Sequence, residues 1–379
     1  MRLTDTLIKK FATTTILALT VSYATAEPLT LNPLLIEQQG SFAVGGTVKT
    51  SEGTYNPRPD ITTGKTSNDF MDVFKANITN GGQTLHGDHA TIAYQIPSNA
   101  KQLPLVFLHG AGQSMRTWQT TPDGREGWNN IFLRKNYAVY LVDQPRRGWS
   151  GRSTVDGFIS AIADDQFWFA QFRMGEYPKF FNGVAFPQDA ISLDQFFRQM
   201  TPNTGAFDVD IISDSLKALF KRIGNGVLIT HSQGGIAGWF AGIKATKNVK
   251  AIVAIEPGNF PFPEGEVPAT IESAFGDIMP AKVSQADFAK LTKMPIIIYF
   301  GDNIADTPST IQGEDQWRIR LALANQWADI INNHGGDVRV VHLPKVGIKG
   351  NTHFMMQDLN NSEVADHLAS WLQEKGLDK

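Results

Sequence analysis

Six short apolar runs, rich in valine and isoleucine, constrain the fold of this chain more than any other feature of its sequence. They span residues 103–110, 138–145, 226–232, 249–257, 294–302 and 338–346, and stretches with helical periodicity lie between most of them. Continuous apolar strands of this kind are buried on both faces, as in a parallel sheet. The alternation therefore predicts an α/β fold: a mostly parallel sheet with helices on both faces.

Composition supports a large packed core and excludes several classes of site. Hydrophobic residues make up 42% of the 379 residues and charged residues 19%, which excludes a disordered chain. A formal net charge of −3 offers no basic surface, so we expect no nucleic-acid partner. The absence of cysteine removes disulfides, thiolate metal sites and cysteine nucleophiles.

The first 26 residues have the pattern of a secretory signal peptide. A positive start precedes an apolar run from about Phe11 to Val21, and Ala24 and Ala26 match the small residues of a cleavage site. The run is shorter than the roughly 20 residues that a membrane span needs, so we expect no stable membrane anchor. The mature chain would start at Glu27 and be secreted or periplasmic.

We expect residues 27–379 to form one catalytic domain that carries additions to its sheet. An N-terminal β extension would cover 27–100, where the Gly- and Thr-rich residues 40–57 suggest a short hairpin. Two long connections, about 151–209 and 259–292, interrupt the alternation, and the first holds ten of the 24 phenylalanines. Since such connections build binding surfaces, we predict an aromatic-rich cap over an apolar pocket. A second small core is the alternative.

The stretch from Thr230 to Gly235, with the sequence THSQGG, lies between an apolar run and a helical pattern. Strand, sharp turn and helix in this order are the context of a nucleophile elbow, where a serine has a strained backbone. Gly234 and Gly235 would relieve crowding, although Thr230 stands where a glycine is usual. Ser232 is therefore the candidate nucleophile, and a helix-capping serine is the alternative. Ser150 also follows a strand, but without this context we expect a turn residue.

Two backbone N–H groups are candidates for an oxyanion hole. One belongs to Gln233, at the start of the helix after the elbow, where the N–H groups are unpaired and the potential is positive. The other lies in the His109-Gly110-Ala111 turn after the first apolar run, with Ala111 as the expected donor. An ordinary glycine-rich loop is the alternative for this turn.

A histidine late in the chain is the expected base if the order is serine, acid, histidine. His353 lies in a loop after the last strand, from which an imidazole could reach the elbow. The other late histidines, His334, His342 and His367, lie in a turn, in a strand and on the final helix.

The acid that would orient this base has two candidates. Glu256 ends the strand after the nucleophile's strand, and Asp302 ends the strand after that. Either carboxylate could hold the imidazole tautomer and stabilise the imidazolium. Periodicity and spacing do not separate them.

The motifs HGAGQS, DQPRRGWSGRS, THSQGG, AIEPG, FGD and GNTHFMMQD follow one another in this order. Together they resemble the α/β-hydrolase superfamily. More narrowly, they resemble secreted bacterial esterases with a Ser–Glu–His triad, among them arylesterase-like enzymes and esterases that de-esterify sulfonylurea herbicides. The resemblance runs from about Glu37 to the C-terminus. In that subgroup the acid follows the strand next to the nucleophile's, so the resemblance implies Glu256 and leaves Asp302 as runner-up.

The combined expectation is a secreted serine carboxylesterase that forms an acyl-enzyme. Its partner would be a small-molecule apolar ester, of the bulky or aryl-bearing kind that the aromatic cap implies. No metal and no organic cofactor is required by this chemistry. The alternatives are a lactonase or amidase with the same triad, and an inactive binding protein on the same scaffold. A homodimer is possible, because an apolar cap surface could serve either a partner or substrate entry.

Overall fold

An eight-stranded sheet organises the protein in a computed structural model that describes residues 32–56 and 81–379. The predicted signal peptide, residues 1–26, lies outside the described residues, as do parts of the predicted N-terminal extension. Residues Leu35–Lys379 make up one compact unit by their contacts.

Most strands of the sheet coincide with the predicted apolar runs. In chain order the sheet contains β1 (Ile36–Thr50), β2 (Thr84–Pro97), β3 (Leu105–Leu108), β4 (Val139–Asp143), β7 (Gly226–His231), β8 (Val249–Ile255), β11 (Pro295–Phe300) and β12 (Asp337–His342). Two short pairs lie outside the sheet: β5 (Gly175–Glu176) with β6 (Lys179–Phe180), and β9 (Pro261–Pro263) with β10 (Ala281–Val283).

The described part of the chain contains eight α-helices. They are α1 (Trp128–Arg134), α2 (Asp165–Gln171), α3 (Ala190–Arg198), α4 (Val209–Ile223), α5 (Gly234–Lys244), α6 (Gln285–Leu291), α7 (Gln312–Asn333) and α8 (Asn361–Glu374). None of the helices in these ranges is long and apolar enough to cross a membrane.

The strand order shows where a site can form. The order is β1-β2-β4-β3-β7-β8-β11-β12, and all neighbours pair in parallel except β1 with β2 and β2 with β4. The predicted mostly parallel α/β sheet is therefore confirmed. The chain leaves β3 toward β4 and later returns on the other side of β3 as β7. This reversal opens a crevice at the carboxyl ends of β3 and β7, where ligands bind in open α/β sheets.

Alternating side chains of β3 enter two apolar layers, one on each face of the sheet. Val106 belongs to a buried cluster that includes Leu219 of α4 and Trp239 of α5. Phe107 points the other way, with its ring centroid 5.0 Å from Trp118 and 5.9 Å from Phe132 of α1. Because both faces are covered by helices, the strand carries apolar side chains without interruption.

The predicted hairpin within residues 40–57 is wrong: β1 is one strand of 15 residues, paired along its length with β2. Two glycines of this stretch, Gly45 and Gly46, have φ of +67° and +94° inside the strand. A Cβ at Gly45 would lie 2.5 Å from the Ser215 hydroxyl oxygen, and one at Gly46 2.8 Å from the Gly87 carbonyl oxygen. These glycines therefore permit close approach of neighbouring chain segments.

The aromatic residues of the first predicted insertion, 151–209, have two roles. Phe169, Phe186 and Phe196 are fully buried. Phe172, by contrast, stacks on the ring of His353, with centroids 5.3 Å apart. The insertion thus contains a small aromatic core of its own and also reaches the crevice. The second predicted insertion, 259–292, contains the β9–β10 pair and α6.

Candidate active site

Ser232 lies in the turn between β7 and α5, at the crevice. Its φ of +54° is in the left-handed region, which a residue with a side chain seldom adopts. The Ser232 N–H donates to the Ile255 carbonyl at 2.9 Å, and the Ser232 carbonyl accepts from the N–H groups of Gly235 and Gly258. These hydrogen bonds hold the strained residue between two strands and a helix, as an elbow requires.

Glycines surround Ser232 because other chain segments pass very close. A Cβ at Gly110 would lie 2.6 Å from the Ser232 Cβ, and one at Gly234 would lie 2.5 Å from the His109 carbonyl oxygen. At Gly235 it would lie 2.6 Å from the Pro257 Cβ. Real Cβ atoms do not approach this closely, so the three positions accept only glycine without a shift of their neighbours.

Thr230, which stands at the usual glycine position, is accommodated from the helix side. A Cβ at Gly238 of α5 would lie 2.5 Å from the Thr230 Cγ2. The room for the threonine therefore comes from a glycine eight residues later rather than from the elbow itself. Gly238 was not singled out from the sequence, although a side chain there would clash with Thr230.

His353 and Glu256 form a buried hydrogen-bonded pair beside the elbow. The His353 Nδ1 donates to the Glu256 Oε2 at 2.5 Å, and both side chains are almost completely buried. This bond leaves the Nε2 of a neutral imidazole as a proton acceptor. His353 and Ser232 line the same cavity. Within residues 32–56 and 81–379, the Ser232 hydroxyl has no hydrogen-bond partner.

The Glu256 carboxylate accepts hydrogen bonds from other groups besides the imidazole of His353. Arg173 donates from Nη1 to Oε2 at 2.9 Å and from Nη2 to Oε1, and the Gly301 N–H donates to Oε1 at 2.7 Å. Burial alone would raise the pKa of Glu256, but the charge of Arg173 and the hydrogen bond from His353 lower it to about 2. The carboxylate is therefore ionised throughout the ordinary pH range.

Asp302, the alternative acid, contacts the backbone of the histidine loop and not the imidazole. Its Oδ2 accepts from the Gly350 N–H at 2.8 Å, and its own N–H donates to the Asn351 carbonyl at 2.7 Å. Asp302 therefore fixes the start of the loop that carries His353.

Rings enclose His353. The centroids of Trp317 and His231 lie 4.3 and 4.4 Å from its own, and Phe172 covers it at 5.3 Å. The His231 Nε2 donates to the His353 carbonyl at 2.9 Å, and the His353 N–H donates to the Phe172 carbonyl at 3.0 Å. This burial lowers the pKa of His353 below its ordinary value, although Glu256 acts in the opposite direction.

The two predicted N–H donors, Ala111 and Gln233, belong to residues that line the cavity with Ser232. Neither N–H has an acceptor among the described residues. Arg147 donates to the Gly110 carbonyl at 2.6 Å and to the Gln233 Oε1 at 3.4 Å. Since the two ends of a trans peptide unit point in opposite directions, holding the Gly110 carbonyl also fixes the direction of the Ala111 N–H.

A cavity of about 370 Å³ opens above Ser232. Its aromatic wall comes from the first insertion and from α7, through Phe167, Trp168, Phe172 and Trp317. Amide side chains, Gln171, Asn259 and Gln316, make up much of the remaining lining. The volume and the aromatic surface suit a small apolar ligand.

Three buried residues of this region were not identified from the sequence. Arg173 neutralises Glu256, and His231 holds the His353 carbonyl. Asp358 accepts from the Thr352 N–H at 2.7 Å and from its hydroxyl at 2.9 Å. Burial raises the pKa of Asp358 to about 7. An Arg inside an aromatic stretch carries no motif, whereas the position of His231 directly before the serine was a signal that could have been used.

Ser150 is buried away from the cavity, as a turn residue. Its hydroxyl donates to the Asp143 carbonyl at 2.8 Å and accepts from the Thr91 N–H at 2.6 Å. Both hydrogen bonds tie the turn after β4 to the neighbouring strand β2. The hydroxyl of Ser150 is thus fully used in structure.

Comparison with known proteins supports the assignment of the fold. Residues 105–367 match the model of the alpha/beta hydrolase family. A curated relative, the probable secreted lipase phiG of a fungus (strain ATCC 74256), is 30% identical over 319 residues, which cover 74% of this chain and 84% of that protein. The solved structure of a novel bacterial esterase is 31% identical with a TM-score of 0.71, and the match covers 91% of this chain and 98% of that one.

The matches extend over most of the chain, and the family match spans Ser232, Glu256 and His353. The chain is thus a member of the alpha/beta hydrolase family, related to esterases and lipases.

Proposed function

We propose that this protein is a serine hydrolase of carboxylic esters that works through an acyl-enzyme. The observation that carries the proposal is the buried hydrogen bond between His353 and Glu256, at the wall of the cavity that Ser232 also lines. A nucleophile, a base and an orienting acid within one site are the components that covalent ester hydrolysis needs.

In the first half of the reaction, the Ser232 hydroxyl attacks the ester carbonyl carbon while the Nε2 of His353 takes its proton. The carbonyl π pair moves to oxygen, which gives a tetrahedral oxyanion. When this collapses, the C–O bond to the alcohol breaks and His353 protonates the leaving alkoxide. Water then repeats the two steps on the acyl-enzyme, releasing the acid and restoring Ser232.

The N–H groups of Ala111 and Gln233 are the proposed donors to the oxyanion. Each such donor contributes about 3 kcal/mol to stabilising the transition state. Glu256 would hold the imidazole in the tautomer with a free Nε2 and stabilise the imidazolium that forms. The low pKa of Glu256 fits this role, because only the ionised carboxylate favours the imidazolium.

The substrate that this cavity favours is a small ester with an apolar or aryl group. Four aromatic side chains among the lining residues support this, since such surfaces bind aryl and alkyl groups. The predicted signal peptide and the relative named as a secreted lipase support export of the enzyme, to the periplasm or the medium.

Replacing the nucleophile tests the proposal. We expect Ser232→Ala to lower kcat/KM for 4-nitrophenyl acetate by at least about 10⁴-fold with an unchanged melting temperature, because the covalent step is lost. The matched control is Ser150→Ala, which removes structural hydrogen bonds and should retain turnover with a lower melting temperature. Turnover that survives in folded Ser232→Ala but disappears in Ser150→Ala would refute the assignment.

Replacing Glu256 and replacing Asp302 should lower kcat by very different factors. Glu256→Gln keeps the size of the side chain but removes its charge, so we expect kcat to fall on the order of 10⁴-fold. Asp302→Asn should cost about tenfold or less, because it weakens a backbone hydrogen bond and leaves the imidazole pair intact. Steady-state kinetics on both variants, with circular dichroism as a folding check, measures the difference. The reverse order of effects would mean that Asp302 is the acid.

The pH profile tests the state of the base. A protonated His353 cannot accept the Ser232 proton, so kcat/KM falls as the pH drops through the pKa of His353. Because burial lowers that pKa, we expect the midpoint of the acidic limb below pH 6.5. In Glu256→Gln the limb should move further to acid, since the charge that favours the imidazolium is gone. A midpoint above 6.5, or one that Glu256→Gln leaves in place, would contradict this electrostatic account.

A further inference from the structure

The cavity wall contains a guanidinium that forms no ion pair with any described residue. Arg320 of α7 donates from Nε to the Gly258 carbonyl at 3.1 Å and from Nη1 to the Gln316 carbonyl at 3.0 Å. These bonds use two of the five N–H donors of a guanidinium. No carboxylate of the described ranges forms an ion pair with Arg320. Three donors are left without an acceptor among the described residues, and the charge is met by the Trp317 ring, 4.8 Å away, and by the electrostatic effect of Glu256, which forms no ion pair with it.

A second arginine, Arg173, is fully buried and has its charge compensated by an acidic side chain. Arg173 and Arg320 both lie near the ring of Trp317, with the guanidinium carbons 5.3 and 4.8 Å from its centroid. Arg173 is bound by the Glu256 carboxylate through two hydrogen bonds. The hydrogen bonds of Arg320 go to backbone carbonyls alone, and Glu256 is already bound to Arg173, so the charge of Arg320 is compensated only in part.

The rest of the lining offers nothing that would neutralise Arg320. Apart from Ser232, Gly258 and His353, the other described residues around the cavity are aromatic, aliphatic or amide-bearing, and none is Asp or Glu. Burial lowers the pKa of Arg320 to about 10, which still leaves it charged near neutral pH. A charge withdrawn from water in this way is costly unless a counter-charge accompanies it. The favoured counter-charge of a guanidinium is a carboxylate, which it can bind with two parallel hydrogen bonds.

Arg320 is also close to the reacting serine through one shared residue. The Gly258 carbonyl accepts from the Arg320 Nε, and the Gly258 N–H donates to the Ser232 carbonyl at 3.0 Å. A group bound to Arg320 therefore occupies the same cavity as an ester placed at Ser232.

We propose that Arg320 binds a free carboxylate of the substrate, so that the enzyme selects esters that carry a carboxylate beside their apolar or aryl part. This inference rests on the proposed ester hydrolysis and names its substrate class. The aromatic wall would hold the apolar part while the guanidinium forms the charge-assisted hydrogen bonds. The rival interpretation is that Arg320 only braces the Gly258 turn.

The kinetic test uses two pairs of esters, each with a charged and a neutral member of similar size. Mono(4-nitrophenyl) glutarate and 4-nitrophenyl hexanoate place the difference in the acyl part. The 3-acetoxybenzoate ion and its methyl ester place it in the alcohol part. We expect kcat/KM to favour the charged member of at least one pair by about tenfold to a hundredfold, the range for hydrogen bonds between charged groups. Absence of preference in both pairs would overturn the inference.

Variants of Arg320 distinguish binding of a substrate carboxylate from a purely structural role at the Gly258 turn. In Arg320→Gln the ratio of charged to neutral kcat/KM should fall at least tenfold, and Arg320→Lys should retain part of it because the charge remains without the planar fork. The matched control is Arg339→Gln, which changes an exposed arginine paired with Glu374 and should keep the wild-type ratio. An equal loss for both members of a pair in Arg320→Gln would show a bracing role and refute the proposal.

A binding measurement makes the inference independent of turnover. Benzoate and benzamide are nearly the same shape, and their binding to Ser232→Ala can be followed by the fluorescence of Trp168 and Trp317 in the cavity wall. We expect benzoate to bind at least tenfold more tightly, and the difference to vanish when Arg320→Gln is added. If esters are not hydrolysed but this difference holds, the proposed function fails and the carboxylate site stands. If esters are hydrolysed and the difference is absent, the carboxylate site fails alone.

Discussion

The buried contact among Arg173, Glu256 and His353 is the interaction on which the rest of the site depends. A carboxylate withdrawn from water is costly, and it stays ionised here because Arg173, the Gly301 N–H and His353 all donate to it. The three side chains come from an insertion, from the end of β8 and from a loop after β12. Removing Arg173 or Glu256 would leave the charge of the other buried without its ion-pair partner. The contact also joins the first insertion to the sheet edge and to the histidine loop.

The parallel strands and the turn at Ser232 were predictable because the local structure there restricts which residue types can occupy each position. Apolar runs marked the parallel strands because both faces of the sheet are covered, and Ser232 was recognisable from the glycines that its turn requires. The hairpin prediction failed because glycines such as Gly45 and Gly46 occur at close packing contacts as well as in turns, and only the positions of Ser215 and Gly87 in the fold distinguish the two cases. In general, contacts between distant segments leave no pattern in a single sequence.

The choice of acid shows the same limit within the site. Glu256 and Asp302 both end strands at one edge of the sheet, so spacing alone could not separate them, and the family resemblance favoured Glu256. In the structure the two carboxylates differ in what faces them: an imidazole and a guanidinium in one case, and backbone N–H groups in the other. The role of Arg173 could not be predicted from the sequence, because the residues that flank it carry no pattern typical of a buried cation. Arg320, by contrast, forms no ion pair with any described residue, and its partly compensated charge is available to a ligand in the cavity.

The most direct test of the central claim is to locate the activated hydroxyl. After exposure to diisopropyl fluorophosphate, intact-mass spectrometry and peptide mapping would identify the modified residue in the wild type and in Glu256→Gln. The account predicts a single phosphoryl adduct on Ser232, formed far more slowly when Glu256 is replaced, because the imidazole is then poorly oriented and its cation unsupported. An adduct on another residue, or labelling of Ser232 at the same rate in both proteins, would contradict it.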